Sequence, residues 1–357
     1  MSTADPGSTA GGGQGPAGNA DPLATRVTRQ LGTRVTRQLG ISVPVIGGAM
    51  YPCSNPELVA AVSEAGGIGV LQPISLTFVH GYEFEAGLRY LRTLTARPLG
   101  MNVLLEGSSR IYRQRMEKWL SMALAHGVRF FVTSLGNPRW VVARVVAAGG
   151  VVYHDVTERK WADKAIAAGV HGLIAVNDRA GGHAGGRSAE QLLEELRPLG
   201  LPLVCAGGIG APADFARALA LGYDAVQLGT RLIATTECTA SAAYKAAIVA
   251  ARAEDIVLSE RITGVPLAVI RTPYVARTGT RAGPLARRLL RGRRTKHWMR
   301  NFYAVRSAIQ LRRASLDPQA TRDFWQAGKS VEGIDAVLPV AQVIAQFAAA
   351  VERARPA

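Results

Sequence analysis

The chain has 357 residues, a formal net charge of +16 and a sequence pI near 10.5. Hydrophobic residues make up 48% and charged residues 19%, so the chain can bury a sizeable core and does not belong to the disordered class. The three cysteines lack metal-ligand spacing, which argues against a disulfide framework and a zinc site. The sequence has no apolar run of ~18 residues and no signal-peptide pattern, which predicts a cytoplasmic protein.

Residues 1–32 are expected to form a disordered tail. The first part of this tail, residues 1–24, is built almost entirely from small and turn-forming residues, which bury too little surface to offset their ordering entropy. The octapeptide TRVTRQLG then occupies 25–32 and recurs at 33–40. Two such short copies do not make a repeat array. We therefore interpret the duplication as genetic slippage and expect only the second copy to pack.

Residues 33–240 are predicted to form a (β/α)8 barrel. Short, continuous apolar runs alternate with amphipathic segments rich in Ala and Leu, as expected for parallel strands that are buried on both faces. The predicted strands are 44–49, 68–72, 98–104, 128–133, 149–154, 171–176, 201–206 and 224–229. Eight βα units in succession favour a closed barrel, although periodicity alone leaves a doubly wound open sheet as the alternative.

The alternation ends at about residue 240. Residues 241–317 are predicted to form a helical, basic cap on the substrate side, and its first helix is predicted over 241–257. The basic character comes from residues 271–313, which hold 13 Arg or Lys and no Asp or Glu. Residues 318–357 are predicted to pack back on the barrel through an amphipathic helix at 339–353. Basic segments with aromatic residues also bind nucleic acid or anionic membranes, but apolar residues at helical spacing favour the cap.

Three predicted loops follow strands at the end of a barrel where catalytic groups lie. In the loop after the sixth strand, glycines flank His183, whose imidazole can act as a general acid or base near neutral pH. The loops after strands seven and eight carry Ala206-Gly207-Gly208 and Gly229-Thr230. Glycines in these two loops let backbone N–H groups approach a phosphate, which predicts a phosphate site.

With these residues assembled, the chain resembles the nitronate monooxygenase family over about residues 40–345. These FMN-dependent barrel enzymes, long called 2-nitropropane dioxygenases, are related to flavin-dependent enoyl-acyl-carrier-protein reductases. The motifs that carry the resemblance are Gly48-Ala49-Met50, Pro98-Leu99-Gly100-Met101-Asn102, Ala180-Gly181-Gly182-His183, Ala206-Gly207-Gly208-Ile209, Gln227-Leu228-Gly229-Thr230-Arg231 and Trp325-Gln326-Ala327-Gly328.

The resemblance implies FMN as cofactor and oxidation of a nitronate, or a nitroalkane, by O2 to a carbonyl compound and nitrite. It implies that His183 is the base or substrate-orienting residue. Gly207, Gly208, Gly229 and Thr230 would hold the FMN phosphate. The remaining predicted cofactor contacts are Ala49, Met50, Asn102, Asn177, Gly182 and Ala206.

Two features leave the substrate open. Related enzymes can place a Lys after the fifth strand, where this chain has His154-Asp155, so the charge around the flavin differs. The same motifs also suit the alternative function, an NAD(P)H-dependent flavin reductase acting on an enoyl thioester or a quinone. The expected partners are small molecules, and the sequence leaves homo-oligomerisation open.

Overall fold

A computed structural model describes residues 31–105, 110–261, 264–281, 306, 308–317 and 324–353. Eight parallel strands close into a barrel in the order of the sequence, each hydrogen-bonded to the next and the first to the eighth. The strands are β1 (Val45–Gly47), β2 (Ile68–Leu71), β3 (Leu99–Leu104), β4 (Phe130–Ser134), β5 (Val151–Val156), β6 (Gly172–Val176), β7 (Leu203–Ala206) and β8 (Ala225–Leu228). The predicted barrel is therefore confirmed, and the open sheet is excluded.

Helices cover the outside of the barrel between successive strands, as the amphipathic segments predict. The described helices are α1 (Arg34–Leu39), α2 (Pro56–Glu64), α3 (Phe84–Leu94), α4 (Arg110–Ala125), α5 (Arg139–Ala147), α6 (Arg159–Ala167), α7 (Ala189–Leu196), α8 (Pro212–Leu221), α9 (Thr230–Ile233), α10 (Ala242–Ala250), α11 (Pro273–Thr278) and α12 (Val340–Arg353). Helix α12 packs on α8 and α2, where Phe347 stacks on Phe215 at a centroid distance of 5.5 Å.

The strand period of two divides the barrel residues into an inner and an outer set. Outward-facing residues pack against the helices in one large core. Inward-facing residues form a second core at the N-terminal end, and its largest members are Ile46, Phe130, Tyr153 and Ile174. The bottom of the barrel is thus filled with side chains, and space for a ligand is left at the opposite end.

Helix α1, which the second octapeptide forms, closes the bottom of the barrel. Val35 and Leu39 join the inner core, and the Tyr153 hydroxyl donates to Gln38 Oε1 at 2.6 Å. Leu31, from the first copy, is only 3% exposed. The expectation that only the second copy packs is therefore wrong for the last apolar residue of the first copy. Residues 1–30 of the predicted tail lie outside the described residues.

The cap contains a small sheet that the sequence did not indicate. Strands β9 (Ile256–Ser259) and β10 (Leu267–Ile270) pair antiparallel, so the predicted helix over 241–257 ends early and the cap is not purely helical. Residues 308–316 are helical, whereas the basic residues from Arg287 to Arg300 lie outside the described residues. No helix in the described part of the chain is long and apolar enough to span a membrane.

Arg34 fixes α1 to the barrel through a two-pronged ion pair. Its Nε and Nη2 atoms donate to the two carboxylate oxygens of Asp224 at 2.8 and 2.7 Å, and its other donors reach Gly200 O and Leu201 O. We predict that Arg34→Met lowers the free energy of unfolding by about 1 kcal/mol, because the pair is bidentate but the Arg34 side chain is partly screened by solvent.

Chemical denaturation measures this loss. Arg37→Met is the matched control, since Arg37 lies on the same helix and, among the described residues, its side chain donates to the Gly32 carbonyl at 2.9 Å. The control should change stability by less than about 0.5 kcal/mol. Equal losses in both variants would show that the Arg34–Asp224 pair does not anchor the helix.

Candidate active site at the barrel mouth

The C-terminal end of the barrel interior, called the mouth below, is the open part of the barrel. Inward-facing residues deep in the strands are fully buried, whereas those in the last position of several strands are partly exposed. Most of the polar and small side chains that point into the mouth come from strands that are adjacent to one another in the barrel. The inward-facing residues of the mouth are Asn102, Ser134, Asp155, Val176, Ala206 and Gln227.

The loop after β7 presents free backbone donors at one side of the mouth. Gly207 and Gly208 have φ of 118° and 78°, conformations that favour glycine. None of the described residues accepts a hydrogen bond from either N–H group. The Gly207 carbonyl, in contrast, accepts from the Asn177 side chain at 3.0 Å, which fixes the turn. This loop therefore offers two oriented donors to an anion.

The loop after β8 lies beside the loop after β1. A Cβ atom on Gly229 would meet nothing nearer than Met50 Sδ, at 3.8 Å, so this side of the glycine is open. Within the described residues the N–H groups of Gly229 and Thr230 also have no acceptor. The Thr230 hydroxyl instead accepts from Gly328 N at 2.9 Å. Thr230 is thus available to a ligand through its backbone, while its side chain holds the C-terminal segment.

The His183 loop is held over the mouth by the cap. Ala268 N on β10 donates to Gly182 O at 2.8 Å, and Gly181 lies against Gly328, leaving no room for a side chain between them. His183 itself is exposed at its surface, but the protein around it desolvates the imidazolium and lowers the pKa of His183. The imidazole is therefore neutral at pH 7 and able to accept a proton.

Asn177 lies at the start of the loop after β6, and its predicted contact with the cofactor stays a prediction. The residue is fully buried, and its amide binds the backbone of the two neighbouring loops. Its Oδ1 accepts from Arg179 N at 2.9 Å, and its Nδ2 donates to Gly207 O. Asn177 therefore joins the loops after β6 and β7, and within the described part of the chain its Oδ1 keeps a further acceptor site.

The other predicted contacts lie around the mouth. Ala206 ends β7 facing inward, whereas Asn102 faces inward two residues before the end of β3, and its amide nitrogen donates to Val132 O at 3.3 Å. Ala49 and Met50 are partly buried on the loop after β1, and Met50 N donates to Ser54 Oγ at 2.8 Å. Gly182 adjoins His183 in the loop tied to β10. The structure brings these residues to one end of the barrel, as predicted.

Two residues of β5 have opposite surroundings. His154 faces outward, where its Nδ1 lies 2.8 Å from the Thr133 hydroxyl, and burial lowers the pKa of His154 to about 4. His154 therefore carries no charge at neutral pH and does not replace a cationic residue at the mouth. Asp155 faces inward at the mouth, and strand alternation from Tyr153 could have placed it there from the sequence.

A short C-terminal segment closes the site and was recognised only as a motif. Ile270 N donates to Trp325 O at 2.8 Å, and the Tyr244 hydroxyl donates to Gln326 O. The rings of Tyr244 and Trp325 stack at a centroid distance of 5.7 Å. These contacts join residues far apart in the sequence, so no local pattern could have predicted that this segment lies over the mouth.

A comparison with known protein families and structures identifies the family of this chain. The family model for nitronate monooxygenase matches residues 33–349, which include the whole barrel and the C-terminal segment. The chain belongs to the nitronate monooxygenase family. Enzymes of this family are flavin-dependent oxidoreductases.

Nitronate monooxygenase from Pseudomonas aeruginosa is 30% identical over 285 residues, covering 68% of this chain and 78% of that protein. The structure is also similar to that of FabK from Thermotoga maritima, with a TM-score of 0.74, 28% identity and coverage of 90% of this chain and 96% of that one. Both similarities span the barrel and support the family fold.

A third relative acts on a different kind of molecule. It is the (3aS,4S,5R,7aS)-5-hydroxy-7a-methyl-1-oxo-octahydro-1H-indene-4-carboxyl-CoA dehydrogenase of Rhodococcus jostii, 30% identical over 233 residues. The match covers 65% of this chain and 64% of that protein, so it spans less than two thirds of the relative.

We predict that Gly229→Ala weakens FMN binding at least tenfold and leaves the fold intact. The added methyl group meets only the flexible Met50 side chain, but it occupies the open side of a free backbone donor. Fluorescence titration of the apoprotein with FMN measures the affinity.

Gly207→Ala is the matched variant, and unlike Gly229→Ala it is expected to disturb the fold itself. Its Cβ would lie 2.2 Å from Asn177 Oδ1 and 2.6 Å from Ala180 N, so we expect it to lower the melting temperature of the apoprotein. If Gly229→Ala binds FMN as the parent does, Gly229 is not part of the phosphate site.

Proposed function

We propose that the chain catalyses FMN-dependent oxidation of alkyl nitronates by O2 to a carbonyl compound and nitrite. The observation that carries this proposal is the family match over residues 33–349. The glycine loops, the open mouth and a neutral His183 support it independently, since they supply an anion site and a base at one end of the barrel.

The residues present fit FMN. Four free N–H groups, on Gly207, Gly208, Gly229 and Thr230, suit a dianionic phosphate, because backbone donors without side chains can approach its oxygens closely. Ala49, Met50, Asn102 and Ala206 would line the space for the ring, and Gly182 would adjoin it from the His183 loop. Bound FMN would supply the redox chemistry, while the protein positions the substrate and moves protons.

His183 would remove the α-proton of a neutral nitroalkane through a ring nitrogen. Desolvation lowers the pKa of His183, which keeps the imidazole in its accepting form at neutral pH. A preformed nitronate needs no such step. The exposed side of His183 leaves room for a substrate next to it.

We predict that His183→Ala retains FMN and loses ~10²-fold or more in kcat/KM for a neutral nitroalkane, but much less for the preformed nitronate. In the parent, the rate with the neutral substrate should fall as the pH drops through the lowered pKa of His183, below about 6.5. Steady-state oxygen consumption measures both rates. Equal losses for the two substrates would assign His183 to binding rather than to proton removal.

A second candidate function is flavin-dependent oxidoreduction of a CoA thioester. The Rhodococcus jostii relative, a carboxyl-CoA dehydrogenase, favours it, and a basic chain suits a ligand rich in phosphate. The fold and the glycine loops serve either function.

Anaerobic mixing separates the two candidates. The FMN-loaded enzyme is mixed with a nitronate, with an acyl-CoA or with NAD(P)H, and bleaching of the flavin absorbance is followed. The proposed function predicts rapid bleaching by the nitronate. Bleaching by the acyl-CoA or by NAD(P)H, with none by the nitronate, would replace the proposal by the thioester function or by the reductase.

A further inference from the structure

Asp155 is an acidic residue at the mouth that the function proposed above does not use. Two residues before it, Tyr153 belongs to the inner core, while Val152 and Val156 belong to the outer core. Alternation along β5 therefore directs the Asp155 side chain into the barrel interior. Asp155 lies beside Ile174 of β6 and above Tyr153, on the layer where the interior opens.

The carboxyl group of Asp155 lacks the partners that other acids of the barrel have. Its Oδ1 is buried and accepts no hydrogen bond from the part of the chain that the structure describes. Asp224, in contrast, binds Arg34, and Asp214 Oδ2 accepts from Gly210 N and Ala211 N. A buried carboxylate without donors is unfavourable, so the neutral acid is the stable form, and burial raises the pKa of Asp155 to about 7.

Among the described residues, the side chains that the adjacent strands direct toward Asp155 supply no compensating positive charge. Inward-facing residues on the adjacent strands are Val132 and Ser134 on β4 and Ile174 and Val176 on β6. The titratable neighbours on β5 are Tyr153, whose hydroxyl is bound to Gln38 at the bottom, and His154, which faces outward and is neutral.

His183 lies on the loop that follows the next strand, β6. Gly185, two residues after it, adjoins Thr157 just beyond β5, so the His183 loop flanks the end of this strand. His183 is itself neutral at pH 7. The polarity at this point of the mouth is therefore set by the carboxyl group of Asp155.

We propose that Asp155 is a further ligand-contacting residue, whose carboxylic acid group donates a hydrogen bond to the flavin bound over the mouth. The inference rests on the proposed FMN site. A neutral acid can donate to a ring acceptor, whereas a carboxylate at the same place would repel the electron-rich ring. Asp155 thus takes the place of the cationic residue expected after this strand.

The test is a pH titration of the visible spectrum of the FMN-loaded protein between pH 5.5 and 8.5. The parent should show a shift of the flavin bands with a midpoint near or above pH 7, and Asp155→Asn, which cannot ionise, should bind FMN and show no shift. His183→Gln is the matched control and should retain the shift. A shift that persists in Asp155→Asn, or no shift in the parent, would overturn the proposal.

Thermal unfolding of the apoproteins gives a second readout that needs no flavin. An acid whose pKa is raised by folding binds its proton more tightly in the folded state, so the parent should lose stability as the pH rises from about 4 to about 7. Asp155→Asn lacks this loss. The melting temperature of Asp155→Asn minus that of the parent should therefore be several degrees larger at pH 8 than at pH 5. The same difference at both pH values would contradict a buried, neutral Asp155.

These results are independent of turnover. If the spectral shift follows Asp155 but nitronates do not reduce the flavin, the proposed reaction fails and the role of Asp155 stands. If nitronates reduce the flavin and no shift occurs, the reaction stands and the role of Asp155 fails. A folded protein that binds no FMN overturns both.

Discussion

Closure of the eight-stranded barrel is the constraint on which the rest of the structure depends. Closure fixes which side chains face inward, and the inward set is apolar at the bottom, where Tyr153, Phe130 and helix α1 fill the interior. The other end is therefore where a ligand is expected to bind. There, short strands end in small or polar residues, and the loops that follow them carry the glycines and His183.

The barrel was predictable because its strands are continuous apolar runs separated by helices that end at glycine. The glycine loops were predictable for the same reason: their position after strands seven and eight follows once the strands are counted. The hairpin of β9 and β10 was missed because its pairing with Gly182 and Gln326 is non-local. The hydrogen bonds by which Asn177 joins the loops after β6 and β7 were not predictable, because its sequence position does not reveal which backbone groups its amide binds.

The electrostatics of the mouth distinguish this chain from what its motifs alone imply. Desolvation lowers the pKa of His183 and raises the pKa of Asp155 to about 7, so both groups can exchange a proton near neutral pH. Anion binding is separated from it, on the free N–H groups of the loops after β7 and β8. Such a division suits a ligand with a phosphate at one end and a ring at the other.

The most direct test of this account is to identify and count the flavin in the purified protein. The visible spectrum is recorded, the protein is denatured, and the released chromophore is identified and quantified. The account predicts one FMN per chain, bound far more tightly than riboflavin because the glycine loops hold its phosphate. A colourless protein that binds no added FMN, or one that binds riboflavin equally well, would show that these loops are only structural turns.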